Sequence, residues 1–200
     1  MTIGFDLDMT LIDSRPGIHA AWRRLSAETG VRVDADLVVS RLGPPLTQEL
    51  AHWFAEEDIP AAAERYRALY PDYAIEPSPA LAGAREAFAA VREAGGRALV
   101  VTAKHRPSAQ LHLEHLGMEP DLLIGELWAE GKAEALVEHR AAAYVGDHVG
   151  DVRGARTAGV VSVAVATGPC SEAELTEAGA DIVLPDLTAF PRWLREFTRP

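Results

Sequence analysis

The chain has 200 residues, 48% of them apolar and 24% charged, with a net charge of −11 and an isoelectric point near 5.0. That length holds one ordinary domain with a sizeable insert, or two small domains sharing one interface, and the negative field disfavours nucleic acid as a partner because it repels a polyanion. No window offers the roughly 18 apolar residues of a membrane span, and a single cysteine, Cys170, cannot close an internal disulfide and reads as structural.

The opening residues show no basic region followed by an apolar core, so the expectation is a soluble, cytoplasmic protein. In chain order, residues 3–7 (IGFDL) read as a short buried strand, with Asp8 and Thr10 directly after it. Residues 15–79 carry no strand pattern and instead offer amphipathic helical stretches at 16–29, 34–41, 47–56 and 61–73. The Pro-rich run EPSPALAG, 76–83, reads as the return linker. From residue 80 onward, helical stretches at 82–94, 107–116, 131–139, 152–158 and 171–178 alternate with strands at 98–102, 122–124, 142–145, 161–166 and 181–184. Gly95, Gly117, Gly159 and Gly179 follow helical stretches where a left-handed cap residue is expected. The pattern predicts an α/β fold, a doubly wound, Rossmann-like parallel sheet built from residues 1–14 and 80–200, with an all-helical insert at 15–79.

In such a sheet, ligands bind beyond the carboxyl ends of the strands. The residues at those ends are Asp6, Asp8 and Thr10, then Thr102, Ala103 and Lys104, then Asp147, His148 and Asp151, with Lys132 preceding the fourth strand. Four carboxylates cannot share one edge without a compensating cation. Oxygen donors alone suit Mg²⁺, and the His or Cys cluster that zinc prefers is missing there. Lys104 and Lys132 are the only lysines in a chain otherwise reliant on arginine, which suggests that these positions need a compact ammonium.

Four segments carry a resemblance to a known family. DLDMT at 6–10, the threonine closing ALVVT at 98–102, the lysine of AEGKAEAL at 129–136 and VGDHVGD at 145–151 resemble the four motifs of the haloacid dehalogenase-like hydrolase superfamily. The helical insert resembles the cap of its phosphoglycolate phosphatase-like members. The resemblance implies a Mg²⁺-dependent phosphatase that acts on a small phosphorylated metabolite through an aspartyl-phosphate. It casts Asp6 as nucleophile and Asp8 as acid/base, with the Asp8 backbone carbonyl on the metal. Asp147 completes the metal site, and Asp151 joins it directly or through water. Thr102 and the Ala103 N–H are cast as grips on the phosphoryl oxygens, Lys132 as the neutralising charge and Thr10 as a supporting hydroxyl. The alternatives are a phosphomutase of the same family, a phosphoacceptor signalling domain and a non-catalytic domain; the protein is expected as monomer or homodimer.

Four positions depart from the family pattern: Met9 where glycine is usual, Ala103 without a side-chain amide, Lys132 without a following proline, and His148 in place of a small polar residue. Arg15, Arg41 and Thr47 lie at the insert's end or in its RLGPPLT loop and are candidates for substrate contact. Lys104 reads as an exposed loop residue, His112 and His115 as a polar helix face, and Trp22, Trp53, Trp128 and Trp193 as packing residues.

Overall fold

Runs such as TIGF and RALVV are apolar on both faces, as expected of parallel strands covered on both sides by helices. In the computed structural model, which describes residues 1–199, β1 (Thr2–Phe5) is followed by four helices: α1 (Arg15–Thr29), α2 (Ala35–Val39), α3 (Leu46–Leu50) and α4 (Ile59–Ala74). The chain then alternates through α5 (Ala84–Glu93), β2 (Arg97–Val101), α6 (Arg106–His115), β3 (Leu122–Ile124), α7 (Lys132–Glu138) and β4 (Ala141–Gly146). It ends with α8 (Val149–Ala158), β5 (Val161–Val165), α9 (Glu172–Glu177), β6 (Ile182–Leu184) and α10 (Phe190–Phe197). All strand pairs are parallel, in the order β3-β2-β1-β4-β5-β6. No helix among the described residues is long and apolar enough to cross a membrane.

The two faces of the sheet bury different layers. One holds Phe5 between Phe88 of α5 and Phe190 of α10, with ring centres 5.4 and 5.3 Å away. The other holds Leu99, Val101 and Tyr144 against Leu136 of α7 and Ala155 of α8. Helix α10 lies outside the helical stretches read from sequence; its Phe190 and Leu194 complete the first layer.

Two other helices differ from the sequence reading for local reasons. Helix α3 stops at Leu50, short of residue 56, because the His52 and Trp53 N–H groups turn back to carbonyls three residues earlier, at 3.1 and 2.9 Å. Helix α8 starts three residues before 152, because His148 and Asp151 cap it reciprocally.

Helices α1 to α4 close on an apolar cluster of their own, with Ile18, Trp22, Leu25, Tyr66, Leu69 and Tyr70 at its centre. Helices α1 and α4 approach so closely at Gly17 that a Cβ there would stand 2.1 Å from the Ala74 carbonyl oxygen. The chain leaves and re-enters the sheet side by side: Asp13 N–H donates to Pro79 O and Leu81 N–H to Leu11 O, each at 2.9 Å.

Candidate active site

The strand order reverses direction at β1 and β4, which opens a crevice beyond their carboxyl ends. Asp6 follows β1, its N–H donating to Val145 O at 2.8 Å, and Asp147 follows β4. One carboxylate oxygen from each of Asp6, Asp147 and Asp151 lies within 4.8 Å of the others, and all three residues are buried. Lys132, fully buried at the start of α7, donates to Asp6 Oδ1 at 3.1 Å, Asp151 Oδ1 at 2.7 Å and the Tyr144 hydroxyl at 2.8 Å. That hydroxyl donates onward to Val101 O at 2.6 Å, so the ammonium sits in a fixed cage of acceptors. Thr10 Oγ1 donates to Asp147 Oδ1 at 2.8 Å. Asp151 serves twice, since its Oδ2 also accepts the His148 N–H at 3.1 Å at the start of α8.

Three buried carboxylates against one ammonium leave two surplus negative charges. Burial pushes Asp6 up to about 7, with Lys132 pulling it down less than burial, Asp151 and Asp8 push it up. Burial likewise drives Asp147 well above the carboxylate range, reinforced by Asp151 and Asp6. Lys132 keeps its proton, because Asp151 and Asp6 more than offset the burial that disfavours its charge. A divalent cation matches the surplus, and the donors are hard carboxylate oxygens. Gly168 completes the cradle: a Cβ there would stand 1.8 Å from Asp147 Oδ2. His148 instead accepts the Gly150 N–H at 2.9 Å through Nδ1, so it caps α8 and offers no nitrogen to the cluster from that side.

Asp8 occupies a different environment. The Lys104 ammonium forms an ion pair with it, 2.7 Å from Oδ1, and lies 4.9 Å from the centre of the Tyr70 ring. Burial alone would raise the Asp8 carboxyl, but Lys104, helped by the Ser14 hydroxyl, holds it below its ordinary value. Lys104 is therefore not the exposed loop residue expected from sequence: α4 folds over it and leaves its side chain 7% accessible. His112 is likewise not part of a polar face. It is fully buried, its Nε2 is 3.0 Å from the Tyr70 hydroxyl, and burial followed by Lys104 pushes it down to about 3, so it is neutral. His115 does face solvent. Met9 adopts φ 60, the left-handed backbone for which glycine is suited, and is held there by its N–H to Ile12 O at 2.8 Å and by Thr167 Oγ1 to its carbonyl at 2.6 Å.

A cleft of about 280 Å³ opens above these groups. Asp6, Asp8, Thr102, Ala103 and Lys104 line its sheet side, and Arg41, Thr47, Tyr66, Arg67 and Tyr70 its helical side. Thr102 Oγ1 accepts the Lys104 N–H at 3.3 Å. Arg15 stays outside the cleft, paired with Asp13 at 2.8 Å. The tryptophans pack as expected: Trp22 in the helical cluster, Trp128 against His148, and Trp193 against Phe190 and Phe197. Trp53 lies under Arg41 and donates to Glu49. Sequence reasoning missed Tyr144, Gly168 and Arg67. Tyr144 had a signal, a lone polar atom inside the apolar run AAAYVG.

The chain belongs to the haloacid dehalogenase-like hydrolase family, whose model matches residues 3–165. Members of that family generally use a divalent metal, which the acidic cluster suits. Among individual relatives, the chain is 32% identical over 178 residues to the tyrosine-protein kinase PtkA of Mycobacterium tuberculosis, covering 82% of this chain but 61% of that one. It thus spans about three-fifths of that relative's length. It is 29% identical over 217 residues to the phosphoglycolate phosphatase of Caulobacter vibrioides, covering 96% of this chain and 89% of that one. The solved structure of a haloacid dehalogenase-like family hydrolase from Streptococcus pneumoniae superposes with a TM-score of 0.83 at 26% identity, covering 99% of this chain and 98% of that one.

Proposed function

We propose that the protein is a Mg²⁺-dependent phosphomonoesterase that hydrolyses a small phosphorylated metabolite through an aspartyl-phosphate on Asp6. The observation that carries this reading is the meeting of Asp6, Asp147 and Asp151 with buried Lys132 at the switch point of the sheet, below a cleft that also reaches Asp8. The relationship to a phosphoglycolate phosphatase supports it. Asp6, Asp147, Asp151 and the backbone carbonyl of Asp8 would hold the metal. Bound there, a divalent cation supplies positive charge beside the phosphoryl oxygens and favours the ionised form of the nucleophile.

Ionised Asp6 attacks phosphorus, and Asp8 gives its proton to the leaving oxygen; Asp8 then takes a proton from the water that hydrolyses the aspartyl-phosphate. Thr102 and the Ala103 N–H grip phosphoryl oxygens, while Lys132 offsets the charge on Asp6 and the transferring group. Thr10 fixes the Asp147 carboxylate. In the resting site Lys104 holds Asp8 ionised, the form needed for the second step. A phosphoryl dianion arriving beside Asp8 repels that charge and competes for Lys104, which favours the protonated acid needed for the first.

Residues 15–79 act as a cap over a core of residues 1–14 and 80–200. The separate apolar clusters and the paired crossing segments near Ile12 and Ala80 support this division. Closure of the cap excludes bulk water during transfer.

Turnover of p-nitrophenyl phosphate tests the reading: release of nitrophenol requires Mg²⁺ and disappears in Asp6→Asn. A failure of Mg²⁺-loaded protein to release phosphate from this ester or from a phosphometabolite panel sinks it. Label moving from ATP to tyrosine hydroxyls without phosphate release would instead favour the activity named for the mycobacterial relatives, and isomerised product a phosphomutase.

A further inference from the structure

The cations around the cleft are not equivalent. Arg41 is committed to Glu49 through two hydrogen bonds of 2.8 and 2.7 Å. Lys104 lies against Asp8, and Lys132 lies beneath, between Asp6 and Asp151. Arg67 differs. It enters from α4 three residues before Tyr70, hence from the same side of the helix. Its side chain is 39% exposed, and its nearest acid, Glu126, is 3.9 Å away with a side chain 57% exposed. Its Nε is buried and has no hydrogen-bond partner among the described residues.

A buried donor on a charged group is costly without an acceptor, and a ligand that brings one relieves that cost. The guanidinium fork suits a planar or tetrahedral anion approached through two donors. The substrate's phosphoryl group cannot be that anion, since the proposed chemistry fixes it against Asp6, Thr102 and Ala103 on the sheet side. A cleft of about 280 Å³ holds only a small substrate, so the group facing Arg67 belongs to the alcohol part of the ester. An uncharged alcohol would leave the guanidinium to water and the loosely placed Glu126, with Nε still unpaired.

We propose that Arg67 reads a second anionic group on the leaving alcohol, so that the cleft selects phosphomonoesters whose alcohol carries a carboxylate or a further phosphate. This rests on the phosphatase reading above. It makes Arg67 a specificity residue on the cleft's helical side, displacing Glu126 when ligand enters.

The test is calorimetric binding, with Mg²⁺ present, to the Asp6→Asn protein, which holds ligands without turnover. One arm compares 2-phosphoglycolate with its neutral isostere 2-phosphoglycolamide. The other compares propane-1,3-diol bisphosphate with the monophosphate. In at least one arm the charged member binds about 10- to 100-fold more tightly, the worth of a hydrogen bond to a charged group. The arm that shows the preference identifies the anion. Arg67→Met in the same background brings that pair to within about 3-fold, and Arg67→Lys, a point charge without the fork, retains part of the preference. Circular dichroism checks that each variant is folded. Equal affinities in both arms, or a preference that survives Arg67→Met, overturns the proposal, and the first result needs no Arg67 variant. Turnover of p-nitrophenyl phosphate by the unmutated protein keeps the two ideas apart: turnover without a charge preference removes only the role of Arg67, and preference without turnover removes only the phosphatase reading.

Discussion

The Lys104 ammonium lies 2.7 Å from Asp8 Oδ1 and 4.9 Å from the Tyr70 ring centre, so one cation ties the end of β1 to α4. Lys104→Met removes the charge and keeps most of the stem. Breaking a fully buried ion pair costs roughly 3–5 kcal/mol; here Asp8 keeps some water contact, and a loss of about 2 kcal/mol at pH 7 is expected. The pH dependence has a definite sign. In the unmutated protein the Asp8 carboxyl is held below its ordinary value, so its stabilising contribution is present above that value and lost only in stronger acid. Without Lys104, burial raises the carboxyl and the proton returns at higher pH. The stability difference between the two proteins is therefore largest at neutral pH and shrinks toward pH 4, as urea unfolding across that range measures. A difference independent of pH would mean that Lys104 acts through packing alone.

Much of the acidic cluster was readable because Asp6, Asp8, Asp147 and Asp151 all stand at the ends of apolar runs, where a doubly wound sheet gathers its ligands. Lys132 was readable through the rarity of lysine. What escaped depends on how α4 lies over the sheet, which local pattern does not encode. Lys104 looks exposed until Tyr70 covers it, and His112 and His115, three residues apart, part company because only His112 meets α4. Gly168 looks like an ordinary loop glycine until the approach of Asp147 is seen. Helix α10 escaped because its sequence, FPRWLREF, has only two fully buried positions, Phe190 and Leu194, with which to mark its face.

Asp6 sets stability against the role proposed for it. In the metal-free protein its carboxyl is pushed by burial from 3.8 to about 7, so the folded chain holds the proton to higher pH than the unfolded chain. Stability therefore falls as pH rises from about 4 through 7, on the order of a few kcal/mol, as the linkage relation requires. Asp6→Asn removes its share of that slope and leaves the share of Asp147. At pH 8 with chelator present, Asp6→Asn is expected to be more stable than the unmutated protein while inactive toward aryl phosphate. Denaturation midpoints at pH 5 and pH 8 decide the matter, and a variant less stable at pH 8 would remove the claim that Asp6 is held under electrostatic strain.

Gly168 offers a way to probe the proposed metal site apart from the rest of the fold. An alanine Cβ there would stand 1.8 Å from Asp147 Oδ2 and 2.6 Å from its Cγ, so the carboxylate must move. Added Mg²⁺ should raise the thermal midpoint of the unmutated protein, more at pH 8 than at pH 5 because the ligands must ionise; at one hundred times Kd the gain is about 2.7 kcal/mol. In Gly168→Ala the apparent Mg²⁺ affinity should fall about 10- to 100-fold, the scale seen when a ligand's support is removed. Gly159→Ala is the control. It strains a φ of 68° but meets nothing within 4 Å, so it should lower the midpoint without changing the Mg²⁺ response. An unchanged response in Gly168→Ala would detach Asp147 from the metal.

Met9 sets backbone strain against burial. At φ 60 a residue with a Cβ costs roughly 1–2 kcal/mol relative to the right-handed form, and glycine would relieve that. The Met9 side chain, however, is 2% exposed, and removing it forfeits about 2–3 kcal/mol of apolar burial. Burial wins by a small margin, so Met9→Gly should destabilise the fold by about 1 kcal/mol. The two bonds that shape the turn, from Met9 N–H to Ile12 O and from Thr167 Oγ1 to Met9 O, use backbone atoms and survive the change. The side chain does not line the cleft over Asp6 and Asp8, so rate and substrate preference should stay within about threefold, too little to count as a specificity contact on the scale of a lost methylene. Urea midpoints and kcat/KM on two esters of different size test both halves. A gain in stability would show that strain outweighs burial, and a changed preference between the esters would make Met9 part of the specificity after all.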